Sequence, residues 1–285
     1  MKITRDSIIT LLLFFFLTSV LYTIGYWLIF RTGSASPLMM STGLAALLTC
    51  LIRQRKISSL GWTWGNWQYQ WQSYLIPLAI IMAAYSIIWL CDFGTWYDTQ
   101  FILEKKASYN LESWDDWQLI LFQLLFTASV SFMLALPSVL GEEIAWRGFL
   151  VKELSSFMSF TGVALVSGII WSSWHWPLII SGLYGNNVTP LYYQITVFSV
   201  ALTSASMIMT YLRYKTNSLW TAVIFHMSWN VFMQKMFTPL TLANEKSAWY
   251  IDEFGIVVAV ITAIVAAYFW KIGHKEFGKK KLISE

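Results

Sequence analysis

Three short stretches of this 285-residue chain hold side chains able to work on a peptide bond. The first is Gly141-Glu142-Glu143-Ile144-Ala145-Trp146-Arg147, the second Trp171-Ser172-Ser173-Trp174-His175, and the third His226-Met227-Ser228-Trp229-Asn230. They offer two carboxylates, a guanidinium, two imidazoles and a carboxamide, the groups that hydrolysis by an activated water requires. One carboxylate can take a proton from water and return it to a leaving amine. A histidine can orient that water or share its proton. A second histidine and the asparagine amide can donate to the oxyanion of a tetrahedral intermediate. The remaining glutamate, paired with Arg147, would hold the first in place. A serine mechanism fits less well: Ser172, Ser173 and Ser228 neighbour the histidines, but there is no G-x-S-x-G elbow.

Each stretch taken alone has an ordinary structural reading. Glu143 and Arg147, four apart with the acid first, form the favoured helical ion pair. His175 can be a buried histidine bonded to a backbone carbonyl, and His226 with Asn230 can hydrogen-bond between helices. Their joint occurrence on three apolar segments is what favours chemistry, because ionisable groups in such segments are costly.

The elements that must position them are membrane spans. The chain is 57% hydrophobic, 18% aromatic and 12% charged, with mean hydropathy +0.56. A soluble domain carries roughly 25% charged residues, so there is too little polar surface here for a water-soluble fold. Disorder, nucleic-acid binding and a disulfide-stapled secreted module are excluded on the same grounds, and the net charge of +4 is mild. Apolar runs near 20 residues predict an all-α polytopic bundle of about eight spans: 8–30, 34–52, 74–93, 118–140, 161–181, 190–212, 218–237 and 254–272. The whole of 1–285 reads as a single transmembrane domain, with 118–237 as its catalytic core.

With the N-terminus inside, five of the nineteen lysines and arginines fall outside (Arg31, Lys105, Lys106, Lys235 and Lys246) and the other fourteen, Arg147 among them, fall in cytoplasmic segments. This bias predicts that both termini are cytoplasmic. The first apolar run exceeds the roughly 7–15 residues of a signal h-region and reads as an uncleaved anchor. Cys50 and Cys91 would lie on opposite sides of the membrane, too far apart to bridge. Trp62, Trp64, Trp67 and Trp71 read as an interfacial belt, and the basic tail after Trp270 as topology-setting or lipid-attracting.

The order Glu142-Glu143-x-x-x-Arg147, an aromatic four residues before His175, and His226-x-x-x-Asn230 resembles the motif set of the CPBP (Abi) family. That family contains the type II CAAX prenyl endopeptidases and bacteriocin-processing relatives. The likeness covers roughly 118–237. The departures are Trp171 and Trp146, where phenylalanine is common. The resemblance implies an intramembrane endopeptidase, with its site in a cavity open toward the cytoplasm. Glu142 would activate water and His175 would partner it. His226 and Asn230 would stabilise the oxyanion, while Glu143 and Arg147 would support the geometry.

Members are commonly labelled metalloproteases, and Glu142, His175 and His226 are a set that zinc accepts. The chain lacks H-E-x-x-H, and Asn230 is a better oxyanion donor than ligand, so a metal-free, glutamate-activated water is preferred and zinc is the alternative. The resemblance also implies a bacterial cell membrane, contact with lipid, and a peptide or protein substrate, lipidated or not, of the CAAX or leader type. A second reading is a non-catalytic protein of the same fold, acting in bacteriocin immunity or as a scaffold. A third is a proton-relay transporter, but Pro137 and Pro177, which interrupt two spans, do not sit in matching halves.

Overall fold

The computed structural model describes residues 3–278 and 282. Lys2, Lys279, Lys280 and Lys281, counted in the charge argument, lie outside the described residues. The chain is a polytopic helical bundle. Its only regular strands among the described residues are a two-residue antiparallel pair, Thr95↔Leu242 and Trp96↔Thr241.

Among the described residues six helices are long and apolar enough to cross a membrane: Arg5–Thr32, Trp67–Leu90, Asp116–Leu134, Phe160–Ile180, Leu191–Thr216 and Ile256–Phe277. Ser36–Ile52 is apolar but 17 residues long. The expected span at 218–237 is the 13-residue helix Trp220–Phe232, followed by a π-helical turn, Met233–Phe237. This is an integral membrane protein, of which six helices meet the spanning criterion by themselves.

Local chemistry sets the helix ends. Thr4, Asn66, Asp98 and Ser159 cap N-termini by accepting from backbone N–H groups two or three residues on. Asn66 starts the third helix at Trp67 rather than at 74, so Trp67 and Trp71 stand on a helix and are exposed.

The largest departure concerns the acidic stretch, expected in a cytoplasmic connection after a span at 118–140. Here the helix Asp116–Leu134 ends at Ala135, and a new helix, Leu136–Glu143, opens with Pro137 in its first turn. Proline lacks the N–H and would clash with the carbonyl four residues back, so it starts helices rather than continuing them. The chain then passes through a π-helical turn, Ile144–Leu150, and returns to α geometry over Val151–Ser155. Glu142, Glu143 and Arg147 are therefore inside the bundle. Arg147 is 0% exposed and is no longer a cytoplasmic charge that sets orientation. Pro177, by contrast, leaves its helix intact to Ile180.

The bundle has two chemically different ends. At one, Arg53 and Arg55 bind Asp6, Lys152 donates to Ser59, Lys215 pairs with Glu276, and Phe160 N–H bonds Gly278 O. At the other lie the turns around Ser34, Asp92, Gly185 and Asn244, where Ser138 Oγ meets Ser36 Oγ at 3.3 Å and Asn244 donates to the Asp92 carbonyl.

One close approach fixes the carboxylate helix. A Cβ at Gly43 would sit 2.3 Å from Gly141 O, and one at Gly141 2.7 Å from Met40 Cα. The two backbones are in contact, as small residues permit between membrane helices. Gly43→Val is expected to cost about 3 kcal/mol, at the upper end for overpacking. Thermal unfolding of the detergent-purified variant measures it, and an unchanged midpoint would show that this contact is not needed.

Candidate active site

Glu142 is 4% exposed and faces a cavity of about 300 Å³ whose lining includes Trp171, His175, His226 and Asn230. Its Oε2 accepts from the indole Nε1 of Trp171 at 2.8 Å. Among the described residues Oε1 takes no hydrogen bond, so it is the oxygen available to a water in the cavity.

Glu143, one residue on, is fully engaged. Arg147 Nη1 donates to Oε1 at 3.0 Å and to Oε2 at 3.2 Å, and His226 Nδ1 lies 2.9 Å from Oε1. With both oxygens taken and no exposed surface, Glu143 cannot serve as a base for cavity water. Arg147 is stacked on Trp171, with Cζ 4.1 Å from the ring centroid, a geometry in which the π face attracts the cation. Among the described residues its Nε and Nη2 have no hydrogen-bond partner, so the indole face and Glu143 are the guanidinium's main compensation for burial.

His175 sits one turn beyond Trp171 on the helix Phe160–Ile180, and its Nδ1 is 3.0 Å from Trp171 O. A carbonyl oxygen can only accept, so Nδ1 carries the proton and Nε2 is left as an acceptor. Trp174 and Phe198 hold the ring edge-on, at 4.7 Å and 5.2 Å between centroids. His226 and Asn230 share a face of the helix Trp220–Phe232. Asn230 is half-buried in the cavity wall, and among the described residues its amide makes no hydrogen bond.

The fold thus brings all six sequence-predicted residues together: four line the cavity, and Glu143 and Arg147 stand behind it. What the sequence reading missed is the N–H of Trp171. Treated as a stand-in for phenylalanine, it instead joins the site's parts: it donates to Glu142, covers Arg147 and packs edge-on against His226 at 5.1 Å. Trp171→Phe keeps the aromatic face and removes the donor. A fall in kcat of about tenfold is expected, the equivalent of one hydrogen bond of about 1.5 kcal/mol, with the melting temperature nearly kept. A fully active variant would remove Trp171 from the positioning of Glu142.

A metal was the alternative expectation. Each histidine has its Nδ1 bonded to an acceptor, as metal-bound histidines do. Among the described residues no group of three or more His, Cys, Asp or Glu side chains is gathered so as to hold an ion.

The cavity runs from Glu142 and His226 to Ala35, Leu183, Gln234 and Glu253, at the end opposite the basic one. Glu253 Oε1 accepts from Tyr184 Oη and, at 3.0 Å, from Gln234 Nε2. Beside it, burial and then the charge of Glu253 push the Asp252 carboxyl well above the usual carboxylate range. Two expectations now conflict. If the basic end is cytoplasmic, a cavity open to the opposite end cannot face the cytoplasm.

Residues 116–232 match the family model "Type II CAAX prenyl endopeptidase Rce1-like". Over 152 residues the chain is 28% identical to CAAX prenyl protease 2 of Methanococcus maripaludis, an alignment covering 50% of this chain and 53% of that protein. The chain therefore spans about half the length of the curated relative it matches. The segment holding both carboxylates, Trp171, the two histidines and the asparagine is thus similar to the Rce1-like domain of type II CAAX prenyl endopeptidases.

Proposed function

We propose that this protein is an intramembrane endopeptidase in which Glu142 activates water. The observation that carries the reading is the division of labour between adjacent glutamates. Glu143 is fully occupied by Arg147 and His226, while Glu142 keeps one oxygen free in a cavity shared with both histidines and Asn230.

The reaction follows from these positions. Water in the cavity donates one hydrogen bond to Glu142 Oε1 and the other to His175 Nε2. Glu142 takes the first proton as the water oxygen bonds to the scissile carbonyl carbon. The carbonyl oxygen becomes an oxyanion and receives hydrogen bonds from Asn230 Nδ2–H and His226 Nε2–H. Because His226 Nδ1 donates to Glu143, donation from Nε2 as well requires the imidazolium. Two carboxylates, one guanidinium and one imidazolium then leave the buried group neutral overall, which limits its desolvation cost. Collapse of the intermediate breaks the C–N bond, and Glu142 returns its proton to the leaving amine. One water is consumed, giving a carboxylic acid and an amine.

The substrate is a peptide or protein associated with the bilayer, of CAAX or leader type. A lipid anchor on it has a place to lie: an apolar groove of about 630 Å³, lined by Leu21, Ile24, Leu44, Leu47 and Leu140, runs against Gly141, the residue before Glu142. The setting is a bacterial cell membrane, with both termini cytoplasmic as the basic bias requires.

Asn230→Ala is expected to lower kcat by about 10²–10³, typical of a lost oxyanion donor, with KM little changed. Cleavage of a fluorogenic peptide panel by the detergent-purified protein tests this, and an unchanged kcat would remove Asn230 from the site. The drawn chemistry needs no metal, so activity is expected to survive EDTA. Loss in chelator that zinc restores would overturn the metal-free mechanism.

A further inference from the structure

We propose that Glu253 selects the substrate: its carboxylate binds a lysine or arginine side chain of the peptide, within about three residues of the scissile bond. The proposal rests on the endopeptidase reading above and adds to it a residue that sets specificity.

The first observation is a buried carboxylate with one oxygen to spare. Glu253 lines the cavity and is 6% exposed. Its Oε1 accepts from Tyr184 Oη and from Gln234 Nε2. Among the described residues Oε2 accepts no hydrogen bond, and it keeps accessible surface on the cavity. No lysine or arginine is among the described lining residues. A glutamine would tie Tyr184 and Gln234 together equally well, with no charge to desolvate. A buried carboxylate short of a counter-ion is costly, and a cation brought by the peptide offsets that cost.

The second is that the carboxylate is held in place before any peptide arrives. Asp252 occupies the left-handed region at φ 57°, its N–H donates to Tyr85 Oη at 3.2 Å, and its Oδ1 accepts from Phe254 N–H at 2.7 Å. Asp252 is thus committed to the turn. Burial and the charge of Glu253 hold its carboxyl well above the usual range, so it does not compete as the anion. Phe198 and Phe254 clamp the Tyr184 ring edge-on, at 5.6 Å and 5.0 Å between centroids. Gln194 fixes the connection that carries Tyr184, through the backbone of Asn186 and Thr189. Groups ordered in advance lose little freedom on taking a ligand.

The third is position. The Tyr184 ring lies 6.1 Å from that of His175, and its hydroxyl is on Glu253. The carboxylate is therefore within about three extended residues of the reacting carbonyl, at roughly 3.5 Å per residue. A free C-terminus would be repelled by Glu253. In a CAAX-type peptide, whose released part ends in a carboxylate, the basic residue therefore precedes the scissile bond. A leader-type peptide can offer it on either side. Glu253 lies beyond residues 116–232, so the family likeness gives it no role.

The test is peptide binding to the detergent-purified full chain carrying Glu142→Gln, which blocks cleavage and removes the charge of the other cavity-lining carboxylate. The probe is a neutral fluorescent ten-residue peptide with a single lysine walked along it, each compared with its methionine counterpart. At the favoured positions lysine is expected to bind about 10–100-fold tighter, as for a hydrogen bond to a charged group. Adding Glu253→Gln, which keeps an acceptor for Tyr184, should bring the lysine peptides down to their methionine counterparts. Equal binding of lysine and methionine peptides at every position, or a preference that survives Glu253→Gln, would overturn the inference. The wild-type protein reports on the endopeptidase reading separately. Cleavage with no preference for lysine would leave that reading standing and refute the inference, whereas lysine-selective binding lost in Glu253→Gln, with no cleavage, would do the opposite.

Discussion

Glu142→Gln is expected to abolish peptide cleavage, lowering kcat by on the order of 10³–10⁴ for a base that also serves as the acid for the leaving group, while the protein stays folded. Glutamine keeps the size of the side chain and an oxygen that can accept from Trp171 Nε1, now 2.8 Å away from Glu142 Oε2. It cannot take a proton from water. The contrast with Glu143→Gln is the informative part. Glu143 neutralises Arg147 and binds His226, so its loss should damage folding as well as rate. Turnover in detergent, with thermal unfolding of the same samples, separates the two. A Glu142→Gln protein that cleaves at the wild-type rate would assign the base elsewhere.

Arg147→Met is expected to cost about 3–5 kcal/mol of stability, because it leaves the Glu143 carboxylate buried without its main counter-charge. Methionine fills much of the same volume, so the loss reports charge rather than a cavity. The double variant Glu143→Gln/Arg147→Met should recover part of that loss, since replacing both partners removes the uncompensated charge. Activity should not return with it, because Glu143 also holds His226 at 2.9 Å. Equal stability of the single and double variants would show that the pair is not coupled.

The helical membrane architecture was legible because composition alone leaves no soluble alternative. The chemistry-bearing residues were legible because charged groups in apolar runs have few other reasons to be there. What escaped the sequence depends on geometry that hydropathy does not encode. An apolar run hides a helix restart: 118–140 reads as one segment, yet Pro137 opens a new helix and moves the acids from a connection into the interior. Aromatic equivalence hides a donor, since Trp171 and phenylalanine score alike as rings and only one has an N–H for Glu142. Gly43 looks like any small residue until its partner, Gly141, is known to lie almost a hundred positions away. The cavity mouth, with Tyr184 and Glu253 drawn from two connections and Gln234 from the π-helical turn Met233–Phe237, has no local pattern at all.

The π-helical turn at Ile144–Leu150 has a bearing on how this protein can change over generations. A π turn carries one more residue than the α turn it replaces. Deleting a single residue there would rewind the segment to α geometry and rotate everything beyond it by about 100°. Gly148 would turn away from Leu60, and the carbonyl of Arg147 from Arg213. A substitution within the turn acts through one side chain, most severely at Arg147, whereas a one-codon deletion misaligns the whole floor of the site. The length of this stretch is therefore expected to stay fixed even where the identity of its buried residues drifts.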